Sequence, residues 1–395
     1  MQIFIEPSDV LLFRDGRPFS AGEGHRARSI FPPTPNTMQG VIRSRVLAER
    51  CGRYRQYRDR CLNCPDQNNC TIPEEIGLPA NLATNEDGHF GKMHLKGPLI
   101  ANNDQQLFYF PMPADVVQVK DKGSSATPQL RILQPLSTQL PGRNDGHRQL
   151  LPLWTPETKL VESVQGYLDQ HQLQQYLLSS CPQTVTKTDL LFAKESRFGI
   201  EVNYSRQTVK ESQLYQTEFV RCLPNVGLYV EMEGIRQLGA DPDATSGLMA
   251  IGGENRASSY IQLETGVDWS ELKRQFCQQL PQAAGFKLYL ATPTIFKQGW
   301  LPSWINADTL EGEYKGVPVQ LKAAAIARYQ IFGGWDVAHN RPKPTRRAVS
   351  AGSVYYFSTK AEPATIFDTF HWQNLADEDA QIGYGLGLVG LWQYQ

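Results

Sequence analysis

Gln2-Ile3-Phe4-Ile5-Glu6-Pro7 sets out an apolar stretch that reads as a strand ended by proline. A second apolar run, Val10-Leu11-Leu12-Phe13, stops at the turn signal Arg14-Asp15-Gly16. A basic, glycine-bearing loop follows, Ser20-Ala21-Gly22-Glu23-Gly24-His25-Arg26-Ala27-Arg28-Ser29. Thr34-Pro35 then has the form of an N-cap with proline in the first turn. Met38, Val41, Ile42 and Val46 continue at helical spacing, with Arg43 and Arg50 off that stripe. Strand, loop, helix is therefore the unit from which the rest of the chain is read. A fainter copy of its start lies at residues 286–291, which run into Thr292-Pro293 much as the first strand runs into Pro7. The echo puts a second start near Gly285 and a boundary near residue 275, so the expected domains are 1–275 and 276–395.

Between the two starts, residues 121–149 are rich in proline, glycine and polar side chains and read as an insertion. Residues 165–180, rich in glutamine and leucine, read as a helix, and residues 190–219 as a long hairpin with polar, basic faces. Leu228, Val230 and Met232 alternate with Tyr229, Glu231 and Glu233, the pattern of a half-buried strand. Beyond Gly285, strands are expected at 321–331, 353–357 and 384–394, with a basic, proline-rich segment at 338–348.

The chain has 395 residues, 41% of them hydrophobic and 20% charged, as in a globular protein with more than one core. No apolar run reaches the roughly 18–20 residues that span a bilayer, and Met1 to Glu6 lacks a signal-peptide layout, so a cytoplasmic protein with no membrane partner is expected. Formal net charge is -1. Any nucleic-acid function must then rest on local basic patches, and acidic surfaces are left for protein partners.

Several such patches stand out. In the 20–29 loop, glycines allow close approach to a ligand, and Arg26 and Arg28 can fork onto phosphate oxygens. The same composition suits a solvated loop, and His25 suits either a hydrogen-bonding residue or an acid–base group for RNA cleavage. Gly333-Gly334-Trp335-Asp336 precedes the cations Arg341, Lys343, Arg346 and Arg347, spaced by prolines. Trp335 is suited to stacking on a base and the cations to tracking phosphates; core tryptophan and wet surface are the plain alternatives. In the hairpin, Lys194, Arg197, Arg206 and Lys210 flank Phe198-Gly199-Ile200, and Arg256 follows the turn Gly252-Gly253-Glu254-Asn255. Gly383, Gly385 and Gly387 lie too near residue 395 to open a nucleotide-binding helix, which leaves a loop pressed on an RNA backbone or a strand packed closely on a neighbour. No metalloprotease, nucleophile-elbow or two-metal pattern is present, so no catalytic residues and no organic cofactor are expected.

Seven cysteines remain, and Cys51, Cys61, Cys64 and Cys70 fall within twenty residues. Cys61-Leu62-Asn63-Cys64 offers two thiolates to one side of a tetrahedral ion, and Cys51 and Cys70 can close it. The expectation is a structural zinc; free thiols and an iron–sulfur or redox group are the alternatives. Arg53, Arg55, Arg58 and Arg60 lie just before Cys61, so a metal would also stiffen a basic lobe.

Taken together, residues 5–19 (Ile5-Glu6-Pro7-Ser8-Asp9-Val10-Leu11-Leu12-Phe13-Arg14-Asp15-Gly16-Arg17-Pro18-Phe19) resemble the opening of the third subunit of the Cmr (type III-B) CRISPR complex, within the RAMP superfamily. Further matches are His25 to Ser29, Phe31-Pro32-Pro33, Gly333 to Asp336, Arg346 to Tyr355 and the terminal glycine-rich segment; residues 50–190, with the cysteines, carry no such match. The resemblance implies an α+β chain of two ferredoxin-like, RRM-type domains with antiparallel sheets and sizeable insertions. It implies a subunit that is not a nuclease and that holds the repeat-derived 5′ tag of the guide RNA. It places that subunit beside the large polymerase/cyclase-like subunit and the backbone RAMP subunits. The tag is then expected between the His25–Arg28 loop and the glycine-rich C-terminus, with 341–347 nearby. A guide-processing RAMP endoribonuclease using His25, and a protein-only adaptor, are the competing expectations.

Overall fold

The computed structural model of the chain describes residues 1–14, 26–81, 83–84, 89–120, 129–137, 150–203 and 208–395. Of the hairpin's residues 201–203 and 208–214 only the backbone is described. Two antiparallel sheets organise the chain. The first takes β1 (Gln2–Pro7), β2 (His94–Asn102), β3 (Leu107–Pro111), β4 (Tyr167–Asp169), β7 (Val226–Glu233), β8 (Ser246–Ile251) and β9 (Arg256–Leu263), in the order β4-β3-β2-β7-β1-β9-β8. A long hairpin, β5 (Phe192–Asn203) and β6 (Thr208–Cys222), projects from it. The second sheet takes β10 (Gly285–Leu290), β11 (Glu311–Tyr314), β12 (Val317–Ala325), β13 (Val354–Ser358), β14 (Gln373–Asn374) and β15 (Leu386–Trp392), in the order β11-β12-β13-β10-β15-β14. The echo seen in the sequence extends to the start of each sheet. Each half opens on an interior strand, β1 or β10, paired on both sides with antiparallel neighbours.

The strand–loop–helix unit forms as its pattern dictates. Thr34 caps α1 (Pro35–Val46), its hydroxyl accepting from the Thr37 N–H at 3.3 Å, with Pro35 in the first turn. Successive side chains of a strand point to opposite faces. Ile3 and Ile5 therefore enter one core with Met38, Ile42 and Val46 of α1, and Phe4 enters another with Leu99, Phe110 and Tyr229. The first sheet is thus buried on both faces. Its second face shares a single core with Phe286, Tyr289, Tyr356 and Leu388 of the second sheet.

Polar groups cross this junction. Lys96 and the Trp372 indole N–H both reach Glu231, at 2.7 and 2.8 Å. Deeper, Asp115 is fully buried and accepts from the hydroxyls of Tyr176 (2.7 Å) and Tyr356 (2.5 Å). Lys287, buried in the middle of β10, holds its ammonium 3.5 Å from the Tyr176 ring centroid.

Some expectations shift. The helical reading of 165–180 resolves into β4 followed by α2 (Gln170–Leu177), capped by Asp169, which accepts from the His171 and Gln172 N–H groups. Residue 275 lies inside α3 (Ser270–Gln279), whose Phe276 packs on Phe367 of α4 (Pro363–Phe370). In the expected insertion, Leu130–Ile132 and Gln134–Pro135 are short strands, and 121–128 and 138–149 lie outside the described residues. Among the described residues no helix is long and apolar enough to cross a membrane.

Candidate nucleic-acid interface

One group of cations is built on the hairpin. Pairing of β5 with β6 sets Glu195 opposite Phe219 and Arg197 opposite Thr217. Arg197 and Arg256 lie over the Phe219 ring, 5.0 and 5.1 Å from its centroid. Acids hold both: Arg197 pairs with Glu195 at 3.2 Å, and Arg256 pairs with Glu254 and stands 3.9 Å from Asp9. Arg221 joins the group through Glu195 and, at 3.2 Å, Asp9. Also on the ribbon, buried Glu218 accepts from Lys194 (2.9 Å) and from the Ser29 N–H (3.3 Å), while the Ser29 hydroxyl donates to the Glu218 carbonyl at 2.6 Å. Residues Arg26–Ala27 add a short parallel strand to β6. The stretch leading to α1 is thus tied to the hairpin, with Arg28 exposed. His25 and Arg206 lie outside the described residues, as does the side chain of Arg26.

A second group gathers at the start of α1. Lys343 donates to the Asn36 side-chain oxygen at 3.0 Å, and its own N–H donates to the Gly334 carbonyl at 2.9 Å. Burial, and then the Arg43 guanidinium, hold the Lys343 amine below its ordinary range. Gln330–Phe332 pairs with Arg346–Ala348, and Arg347 lies over the Tyr329 ring at 5.3 Å. Arg346 reaches Asp379 at 2.9 Å and Glu378 at 3.0 Å. Asp336 pairs with His339 at 2.8 Å and stands 3.9 Å from Arg341. Trp335 is 55% exposed and Tyr329 50%, so both rings present surface for stacking rather than being committed to the core. The N-terminal helix and the 341–347 segment, more than 300 residues apart in sequence at the Lys343–Asn36 contact, therefore share one surface.

Residues 28–35 run from the first group to the second, along a cleft of about 680 Å³ at the junction of the two sheets. Its wall is mixed, with Ile30, Phe31, Leu99 and Phe332 set among the polar Thr34, Gln165, Thr292, Arg328 and Gln330.

The glycines expected at the RNA backbone are not on this surface. Gly383, Gly385 and Gly387 are buried, and a Cβ on each would stand 2.5 Å from the Gly97 carbonyl oxygen, the Ala376 nitrogen and the Leu375 side chain respectively. Their missing side chains allow close packing of the protein on itself. The cation spacing gives no sign of Phe219, Asn36, Tyr329 or Arg221. Alternation along 190–222 is the signal that would bring Phe219 to Arg197 once the hairpin register is known.

The four cysteines are half-buried and form no disulfide. Cys51, Cys61 and Cys70 pack against the core beneath α1. Burial first, and then the neighbouring Cys64, Cys70 and Cys51, push the Cys61 thiol up to about 11. Among the described residues no three His, Cys, Asp or Glu side chains stand at metal-ligand separation.

The fold and the surface together define an α+β protein of two antiparallel sheets, with cations and open aromatic rings gathered around the cleft where the sheets meet. The chain belongs to the Cas_Cmr3 family of CRISPR-associated proteins, whose model matches residues 3–392. It is similar to a chain of the type III-B Cmr-beta complex bound to cognate target RNA and AMPPnP, with a TM-score of 0.51 and 16% identity over 97% of this chain and 95% of that one. A chain of the same complex bound to cognate target RNA gives a TM-score of 0.50 at the same identity and coverage. No curated protein matches the chain.

Proposed function

We propose that this chain is a non-catalytic RNA-binding subunit of a type III-B CRISPR effector, acting in the cytoplasm, that grips the repeat-derived 5′ tag of the guide RNA. Both sheets are read as the cores of ferredoxin-like, RAMP-type domains, each opening on an interior antiparallel strand. The partners are the guide RNA, the large polymerase/cyclase-like subunit and the backbone RAMP subunits. The observation that carries the reading is the Lys343–Asn36 contact, which brings the cations of the second half to the helix of the first, beside the cleft. A single strand fits such a surface by splaying its bases. Trp335 and Tyr329 offer stacking faces, Arg28, Arg341, Arg346 and Arg347 offer phosphate partners, and the cleft has room for one unstacked base.

The test is tag binding by the assembled complex as a function of salt. Replacing Arg346 and Arg347 together by alanine is expected to weaken binding and to reduce the salt slope by about 0.7 for each phosphate no longer neutralised, about 1.4 for the pair. An unchanged affinity and slope would remove the 341–347 segment from the interface. Labelled repeat RNA incubated with the chain is expected to stay intact. Metal-independent cleavage abolished by His25→Ala would replace this reading with the endoribonuclease one.

A further inference from the structure

The edges of the two sheets are guarded to different degrees. In the second sheet, β11 carries Glu311 and Glu313 exposed, the Asn306 N–H covers its Glu311 carbonyl at 2.8 Å, and β14 is two residues long. In the first sheet, β4 is three residues long and bridges to Thr186. Short strands, charges and covering segments are the usual guards against stray pairing. The remaining edge, β8, has six residues, with no charge, no proline and an unbroken register on β9. The Gln262 N–H donates to the Thr245 carbonyl at 2.6 Å, and the register then turns the backbone groups of Gly247, Met249 and Ile251 toward β9. Those of Ser246, Leu248 and Ala250 point outward, and among the described residues no backbone group bonds to them. All three residues are exposed. On their face Leu248, 67% exposed, stands beside Ile261, 37% exposed, past the point where Phe4 enters the core shared by the sheets.

We propose, on the reading of the chain as an effector subunit, that β8 is a docking edge for an extended segment of a neighbouring protein subunit, which joins the first sheet as a further strand. Main-chain hydrogen bonds to Ser246, Leu248 and Ala250 supply the attachment, and alternate side chains of the incoming segment decide which segment is accepted. Those on the face of Leu248 and Ile261 are apolar, because that is the surface they cover. Acids fix the rest of the chemistry. Asp241 and Asp243, just before β8, and Glu264, just after β9, are exposed at one end of this edge, and none of the three forms an ion pair among the described residues. They favour a Lys or Arg at that end of the incoming segment. They repel a phosphate backbone, so the occupant is protein and not RNA. A second β8 from another copy of this chain has no cation of its own to offer them.

The experiment is amide hydrogen exchange, resolved to single residues, on the full chain alone and in its assembled complex. The Ser246, Leu248 and Ala250 amides are expected to exchange fast in the isolated chain and to become protected in the complex, while β1 stays protected in both. Leu248→Pro removes one outward N–H and spares the ladder to β9, so this variant is expected to keep its melting temperature and to lose its place in the complex. Should it fail to fold, Asp241→Lys/Asp243→Lys keeps the test open: weaker assembly at low salt is expected, with no backbone bond altered. Outward β8 amides that exchange as fast in the complex as in the isolated chain would overturn the proposal. So would normal assembly of a folded Leu248→Pro chain, or protection that grows with the concentration of the isolated chain, which would make a second copy the occupant. A complex that grips the guide tag while β8 stays unprotected would remove the docking edge and leave the subunit reading standing; a chain that joins no other protein would remove both.

Discussion

Lys287 is the residue with most at stake. Burial holds its amine down at about 8 against an ordinary 10.5, while the charge of Asp115 pulls the other way. Asp115 is pushed up, by burial first. Asp115→Ala leaves the buried Tyr176 and Tyr356 hydroxyls without this acceptor and removes the charge that favours the buried ammonium, at about 1–3 kcal/mol for each buried polar group left unsatisfied, so it is expected to be strongly destabilising. The loss is expected to be partly relieved in the double variant with Lys287→Met, and urea unfolding of the four-member cycle reads this coupling. The pH dependence has a definite sign. Between about 8 and 10.5 the unfolded chain holds more protons on this lysine than the folded chain does, so stability from Lys287 rises as pH climbs through that window. Urea midpoints of the wild type are expected to rise relative to Lys287→Met over the same interval. A flat difference would mean that the amine titrates at its ordinary value in the fold.

At the scale of elements, the hairpin and the strand Arg26–Ala27 depend on one buried acid. Glu218→Ala leaves the Ser29 N–H and the Lys194 ammonium without this acceptor, at a cost of about 1–3 kcal/mol. Amide exchange is expected to speed up at residues 27–30, while the cores of β7 and β10 stay protected. Uniform loss of protection would instead make Glu218 a general stability residue. Legibility in the sequence follows element type. The opening strand, the capped helix α1, the long hairpin and the strands near 228, 286 and 354 all follow from local periodicity and end signals, which act within a few residues. Strands β2 and β3 escape such a reading because consecutive residues in them are buried and alternation is lost. The glycine-rich C-terminus is legible as a strand but not as an interior one, because what its glycines touch belongs to residues 97, 375 and 376. Composition is enough to locate the cations. Their grouping around α1 is not written locally, since the Lys343–Asn36 contact depends on how the two sheets dock.

For the whole molecule, the shared core between the sheets decides how it melts. Phe4, Leu99 and Phe110 pack in one cluster with Phe286, Tyr289 and Tyr356, so neither half keeps its apolar surface covered alone. A single calorimetric transition is expected for the full chain. Two separated transitions would mean that the halves fold independently. The ion pairs on the outer surface have a consequence of a different kind. Arg197, Arg221, Arg256 and Arg346 each already rest on an aspartate or glutamate. To a passing polyanion such a face is electrically quiet, and stray nucleic acid gains little by lodging there. Because ion pairs at a wet surface are weakly held, a strand whose phosphates match several of these arginines at once can evict the carboxylates together. On the proposed reading, the acids are tenants that only a matching strand displaces.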